Sequence, residues 1–339
     1  MRNGAIRVGI IGAGRIGKVH AQNIAFRIPD AEIIAIADKD REAAQGIARS
    51  CSIGSVTAEA ADIFDNRAID AVLICSPTDT HPNLIVEAAR SGKHIFCEKP
   101  IALTLPEIDR AIEAVKSAGV QLQVGFNRRF DANFARVRRA IAGSEIGRPT
   151  LMHIVSRDPA PPPISYVRGS GGMFMDMSIH DFDMARFLLG EEPHEIHAMG
   201  AVMIDPEIGR AGDLDTALTL LRFQSGAMAV IDNSRKASYG YDQRVEVLGD
   251  LGKVETMNCF PNQAIISDGQ SVHRDLPLNF FMDRYTESFV EEIREFVSAL
   301  REHRPAVVGG DDGRIAVAMA LAARKSYDER RTVCLEEIE

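Results

Sequence analysis

Ile6-Arg-Val-Gly-Ile-Ile-Gly12-Ala-Gly14-Arg-Ile-Gly17 is a short β-branched apolar run that breaks on three glycines and passes into a segment of helical periodicity. The spacing predicts a strand, a tight turn and a helix. Glycines at these places permit the turn, the close approach of a pyrophosphate to the backbone and the packing of helix on strand, while the first helix amides and the helix dipole attract negative charge. Asp38 closes the next strand signal, where a carboxylate would accept hydrogen bonds from both hydroxyls of an adenosine ribose and repel a 2′-phosphate. NAD is therefore the expected cofactor, with Lys39 beside Asp38 weighing toward NADP. A glycine-rich turn that binds nothing is the plain alternative, and the strand before, the helix after and the acid beyond speak against it.

Working outward, apolar runs at 6–11, 32–37, 71–75, 94–97 and 121–124 alternate with helical periodicity at 17–27, 41–49, 82–90 and 106–118. Such alternation predicts a doubly wound parallel sheet with right-handed crossovers and helices on both faces. After about residue 150 the pattern changes. A strand signal at 150–156 precedes the stiff proline run Pro159–Pro163, a helix runs to about Leu189, and strand signals follow at 195–204, 216–223, 227–233, 244–248, 253–257 and 263–267. Turns such as Gln224-Ser-Gly226 and Gly249-Asp-Leu-Gly252 join consecutive runs, so this half reads as a large, mostly antiparallel open sheet. Amphipathic segments at 285–301 and 313–329 close the chain. The fold class is α/β: an N-terminal dinucleotide-binding domain over 1–125 and an α+β substrate-binding and oligomerisation domain over 126–339, whose last helix is expected to pack back on the first domain.

Bulk properties set the outer limits. The 339 residues exceed one ordinary core, and 45% hydrophobic with 26% charged residues is the balance of a folded globular chain. A net charge of −9 argues against nucleic acid, and Arg136, Arg138 and Arg139 read as the solvated face of a helix. Five cysteines without a CxxC pair support neither a zinc site nor a disulfide framework, so a reducing cytoplasm is expected. No secretory leader and no uninterrupted apolar run of membrane-spanning length is seen, so no membrane partner is expected.

Three further segments carry chemistry. Ser76-Pro-Thr-Asp-Thr80-His81 and Cys97-Glu98-Lys99-Pro100 follow strand signals, and in an open parallel sheet ligands bind at the carboxyl ends of strands. Pro100 restricts Lys99 to extended backbone, which disfavours a free solvated lysine tail. In Ser170-Gly-Gly-Met-Phe-Met-Asp176-Met-Ser-Ile-His180, the carboxylate and imidazole stand at i and i+4, so at helical spacing they share one face and could move a proton. A surface Asp/His pair or a capping carboxylate is the alternative. Asp181 and Asp183 beside His180 raise a metal reading, but no second histidine stands nearby at ligand spacing, so no metal is expected.

Gly12–Gly17, Asp38, Glu98-Lys99-Pro100 and Asp176…His180, in this order, resemble the Gfo/Idh/MocA family of NAD(P)-dependent oxidoreductases over essentially the whole chain. Gly125-Phe-Asn-Arg128-Arg129-Phe-Asp131, Ser156-Arg-Asp158-Pro-Ala-Pro-Pro and Asp176-Met-Ser-Ile-His180-Asp-Phe-Asp-Met-Ala-Arg186 are similar to the inositol 2-dehydrogenase branch. The resemblance implies a Rossmann domain, a homotetramer formed through the second-domain sheets, and Lys99, Asp176 and His180 as the catalytic set. The chemistry suits them independently. Oxidising a secondary alcohol needs a base for the hydroxyl proton, and histidine, with an ordinary pKa of about 6.5, can serve. His180 is accordingly the base, Lys99 the donor to the substrate oxygen, and Asp176 the holder of a neighbouring hydroxyl and of the charged imidazole.

Candidate cofactor residues are Gly12, Gly14, Arg15, Ile16, Gly17, Asp38, Ser76, Thr80, His81, Glu98 and Lys99. The resemblance carries substrate contacts onto Arg129, Asp158 and Tyr239 beside Lys99, Asp176 and His180, with Tyr285 a further candidate. Each has a plain alternative: Arg129 paired with Asp131, Asp158 capping a turn before Pro159, Tyr239 as a loop aromatic. His20 reads as a packed helix residue. The implied activity is NAD-dependent oxidation of myo-inositol to the 2-keto inositol. The alternatives are a dehydrogenase of scyllo-inositol or glucose, and a non-catalytic NAD-binding regulator.

Overall fold

A computed structural model describes residues 4–338. The chain divides into two compact units, one running through Phe130 and resuming over Glu287–Val317, the other comprising Asp131–Thr286 and the segment from Ala318 onward.

The first unit is built on six parallel strands, β1 Ile6–Ile11, β2 Ala31–Ala37, β3 Ser55–Thr57, β4 Ala71–Ile74, β5 His94–Glu98 and β6 Leu122–Gly125, in the order β3-β2-β1-β4-β5-β6. Helices α1 Arg15–Arg27, α2 Arg41–Cys51, α3 Ala60–Asp65, α4 His81–Arg90 and α5 Leu105–Ala118 connect them. All four residues of β4 are buried, as a strand covered on both faces requires. The pair β3 and α3 has no counterpart in the sequence reading: a three-residue edge strand carries no periodicity of its own and is held by pairing to Ala35–Ala37.

The second unit begins with α6 Ala132–Ala142 and β7 Pro149–Arg157, then α7 Ile164–Val167, a π-helical turn Phe174–Ser178 and α8 Ile179–Leu189. Strands β8 Pro193–Ala201, β9 Thr216–Phe223, β10 Met228–Ser234, β11 Asp242–Gly249 and β12 Lys253–Thr256 follow, with α9 Pro206–Arg210 inserted after β8. A two-stranded ribbon, β13 Ile265–Ser267 and β14 Val272–Arg274, precedes α10 Phe281–Arg284. The chain ends with α11 Thr286–Glu302, α12 Gly310–Glu329 and β15 Val333–Cys334.

Seven strands form one sheet in the order β12-β11-β7-β10-β9-β8-β15, every neighbouring pair antiparallel except β7 with β10. The strand expected over 195–204 stops at Ala201 because the amides of Met203, Ile204 and Asp205 turn to the Asp215 carboxylate at 2.7, 2.8 and 2.9 Å. Helix α8 packs against β7. The opposite side chains of the sheet include Leu218, Leu220, Met228 and Leu248, each roughly half exposed. Met228 lies beside Leu151 on β7, and Leu151 beside Leu248 on β11, so the exposed apolar residues run across the strands. Among the described residues no helix is long and apolar enough to cross a membrane.

Helix α11 contributes Val290, Ile293, Phe296, Val297 and Leu300 to the core that also holds Val8, Ile10 and Phe96. Its apolar face is thus the amphipathic stripe read from the sequence.

Candidate active site

In the first unit the glycine loop is locked by backbone contacts. Gly12 adopts φ +108°, a conformation disfavoured for other residues, and its amide donates to Ala37 O at 2.8 Å. A Cβ on Gly12 would stand 2.5 Å from the Cys75 carbonyl, and one on Gly17 would stand 2.0 Å from Gly12 O. A Cβ on Gly14 would meet nothing within 4 Å. Gly14 precedes α1 without a side-chain cap and without an acid in the first turn, so the leading amides of Arg15 and Ile16 form an anion-accepting helix start. Asp38 completes the loop: its Oδ2 accepts from the Ala13 amide at 2.5 Å and its Oδ1 from the Asp40 amide at 2.7 Å. A dinucleotide fits this set, with backbone donors for phosphates and a fixed carboxylate at the end of β2 for a ribose.

Two loops follow the neighbouring strands. Ser76 Oγ and Thr80 Oγ1 share a hydrogen bond of 2.6 Å, and Thr80 donates to Pro77 O. His81 is buried, with Nδ1 facing Pro100 O at 2.8 Å and Nε2 facing Ser76 O at 2.9 Å. It therefore braces the loop after β4 against Lys99-Pro100. Lys99 is half-buried and joined to Pro100 by a cis peptide bond. The Glu98 carboxylate meets His20 Nε2 at 2.7 Å. Arg129 pairs with Asp312 at 2.9 Å in the same unit.

In the second unit, every residue from Met173 to Arg186 is buried except Asp176 and His180. Asp176 lies in the π-helical turn and His180 in the first turn of α8, so the plain α-helical spacing expected between them is widened by a π insertion, a feature common at functional sites. Tyr166 donates to Asp176 Oδ1 at 2.8 Å, and Arg235, 1% exposed, approaches Oδ2 at 3.3 Å. Lost solvation at the hydroxyl and the Asp176 charge both push the Tyr166 phenol above its ordinary range, so it stays a donor. Neither Tyr166 nor Arg235 was singled out by sequence; the signal for Arg235 is parity, since Ala229, Ile231 and Asn233 are the buried residues of β10 and Arg235 continues their alternation.

Behind α8, Asn233 donates to Asp181 Oδ2 at 2.8 Å while Ser178 donates to Asn233 Oδ1 at 2.6 Å. This fixes the helix on β10 by hydrogen bonds that are fully buried. Asp158 is tied by its backbone, its amide to Ser234 O at 2.9 Å and its carbonyl to the Ala237 amide at 2.6 Å. Tyr239 donates to Asp242 at 2.5 Å and accepts from Arg157 at 3.0 Å. Burial and Asp242 raise its phenol above the ordinary value. Asp131 caps α6 and pairs with the buried Arg284. Tyr285 is 2% exposed and packs edge-on against Tyr241 at 6.0 Å, so it belongs to the core rather than to a solvent-facing site.

Comparison with known proteins bears on both units. The family profile described as "Oxidoreductase family, NAD-binding Rossmann fold" matches residues 6–126, and that described as "GFO/IDH/MocA C-terminal domain" matches 134–255. Myo-inositol 2-dehydrogenase of Thermotoga maritima is 45% identical over 98% of this chain and 99% of its own length. Inositol 2-dehydrogenase of Rhizobium meliloti is 46% identical over 97% of this chain and 99% of its own. Among solved structures, scyllo-inositol dehydrogenase of Lactobacillus casei with bound NAD(H) and scyllo-inositol superposes with a TM-score of 0.92 at 29% identity, covering 98% of this chain and 99% of that one.

Proposed function

The chain belongs to the Gfo/Idh/MocA family of NAD-binding oxidoreductases, and from that premise we propose that it oxidises myo-inositol to the 2-keto inositol with NAD as cofactor. The observation that carries the reading is that Asp176 and His180 alone are partly exposed within the otherwise buried run from Met173 to Arg186. When bound, the nicotinamide supplies the acceptor for the hydride that leaves carbon. His180 takes the proton of the hydroxyl being oxidised. Lys99 donates to that oxygen and stabilises its developing negative charge. Asp176 accepts from a neighbouring hydroxyl, its carboxylate oriented by Tyr166 at Oδ1 and Arg235 at Oδ2. Arg129, Asp158 and Tyr239 read further hydroxyls of the ring, and a site lined with such groups rejects analogues that lack one.

Steady-state kinetics with myo-inositol, scyllo-inositol and glucose, each with NAD and NADP, test this. The expected outcome is the highest kcat/KM for myo-inositol with NAD, with Asp38 disfavouring the 2′-phosphate of NADP. Turnover of scyllo-inositol without turnover of myo-inositol would establish the second reading, which the structural similarity to a scyllo-inositol dehydrogenase motivates. The greater identity to the two relatives named for myo-inositol or inositol places it second.

The working form we propose is a cytoplasmic homotetramer. The exposed Leu218, Leu220, Met228 and Leu248 make an apolar sheet face of the kind that associates, and the five cysteines carry free thiols, which suits a reducing compartment. Leu220→Arg is expected to shift the mass measured by light scattering from four chains toward fewer. An unchanged tetramer mass, or a monomeric wild type, rejects that interface.

A further inference from the structure

One cluster of ionisable side chains in the first unit has no part in the reaction just described. His20 of α1, Glu98 at the end of β5 and Glu292 of α11 have side chains 0%, 14% and 0% exposed. His20 Nε2 stands 2.7 Å from Glu98 Oε1 and 3.9 Å from Glu292 Oε1. Neither carboxyl oxygen of Glu292 has a hydrogen-bond partner among the described residues, and neither has His20 Nδ1. The surroundings are apolar: the imidazole is edge-on to Phe96 at 5.2 Å and to Phe289 at 6.0 Å, and α11 buries Phe289, Ile293 and Phe296 around the acid.

The titratable groups facing Glu292 are His20 from α1, Glu98 from β5 and the buried thiol of Cys75 beyond β4; the Gln123 side chain of β6 donates to its backbone carbonyl at 2.8 Å. Burial first, and the Glu98 charge second, push Glu292 well above the usual carboxylate range. An acid without partners in an apolar core destabilises the fold, and an apolar side chain of similar volume would be more favourable there. Stability therefore gives no reason for Glu292. Its location does: it stands behind an imidazole on the helix opened by the glycine loop, and that imidazole grips the residue next to Lys99.

We propose that Glu292 and His20 are positioning residues for the Glu98-Lys99-Pro100 turn, Glu292 backing at 3.9 Å the imidazole that holds Glu98, so that the strand end bearing Lys99 and helix α1 keep one geometry. This rests on the polyol oxidation proposed above, in which Lys99 touches the substrate oxygen.

The test compares Glu292→Gln and Glu292→Met in the full chain, reading kcat with myo-inositol and NAD, NADH affinity and thermal unfolding from pH 5 to 9. The amide keeps the size and polarity of the group behind the imidazole, so Glu292→Gln keeps kcat within about 3-fold, whereas Glu292→Met lowers it by about 10-fold through misplacement of Lys99, with NADH affinity within about 2-fold. Glu292→Met also unfolds at a higher temperature than wild type. The pH dependence has a definite sign. The folded state favours the protonated acid while the unfolded chain ionises near its ordinary 4.5, so wild type loses stability as pH rises above that value toward the folded-state pKa. Glu292→Gln has no such loss, and its Tm advantage widens from pH 5 to 9.

Wild-type kcat in a stabilised Glu292→Met, equal loss in both variants, or a Tm gap that does not widen with pH each overturns the proposal. A stoichiometric divalent ion in purified protein that is lost in Glu292→Gln overturns it too, by making the cluster a ligand set. Should Glu292→Met fail to fold, retained kcat and the widening gap in Glu292→Gln decide. If wild type turns over no polyol, the reaction reading has failed, and the Tm gap still reports the proton on Glu292 separately.

Discussion

Alanine at position 180 is expected to lower kcat for myo-inositol by about 10³-fold while leaving NADH affinity unchanged, because a positioned general base contributes roughly 10²–10⁴. His180 is partly exposed in α8, whose buried members include Phe182, Met184, Ala185 and Leu188, and hydrogen bonds that seat the helix run through Asp181, Ser178 and Asn233. Alanine also has a higher helix propensity than histidine by roughly half a kcal/mol, so Tm should hold or rise slightly. Loss of turnover without loss of stability then isolates the chemistry. Added imidazole should restore part of the rate to the alanine variant and none to wild type. A variant that keeps kcat and only raises KM makes His180 a substrate holder, and the base must be sought elsewhere.

Much of this architecture was legible because buried parallel strands are continuous apolar runs. Ile6–Ile11 and Ala71–Ile74 stand out for that reason, and Gly12 and Gly17 after the first are demanded by backbone contacts that admit no side chain. Ser55–Thr57 was not legible, since its strand conformation comes from β2 rather than from its own residues. The Asp176/His180 pair was legible as a pattern but not as a geometry. A π insertion is a tertiary accommodation, and nothing in the spacing of the two residues announces it. The same limit hid Tyr166 and Arg235, which stand 10 and 59 residues from Asp176 and meet it only in the fold. Polar residues on otherwise apolar stripes were the available signal. Arg235 stands at an inward parity after β10, and Glu292 stands within the apolar face of α11, both positions where burial of an ionisable group needs a reason.

Glycines 17 and 14 should separate folding from cofactor binding. An added Cβ at Gly17 lies 2.0 Å from Gly12 O, a backbone atom, so relief requires the loop to retreat by more than about 1 Å. Gly12 has nowhere to go. Its amide is bonded to Ala37 O, its φ of +108° is already that of a residue without a side chain, and the Cys75 carbonyl lies 2.5 Å from its own virtual Cβ. Gly17→Ala is therefore expected to lose about 3 kcal/mol, a fall of roughly 5–10 °C in Tm, and to weaken NADH binding by about 100-fold or more as the helix start moves off its strand. At Gly14 the added Cβ meets nothing within 4 Å, so Gly14→Ala should unfold within about 1–2 °C of wild type. Its methyl group instead occupies the space above the uncapped start of α1 that a pyrophosphate must enter, and NADH affinity should fall by about 10-fold or more. Thermal unfolding and NADH fluorescence titration of the two variants measure both quantities. A Gly14→Ala protein that binds NADH as wild type does would move the nucleotide away from this loop, whatever Gly17→Ala does to stability.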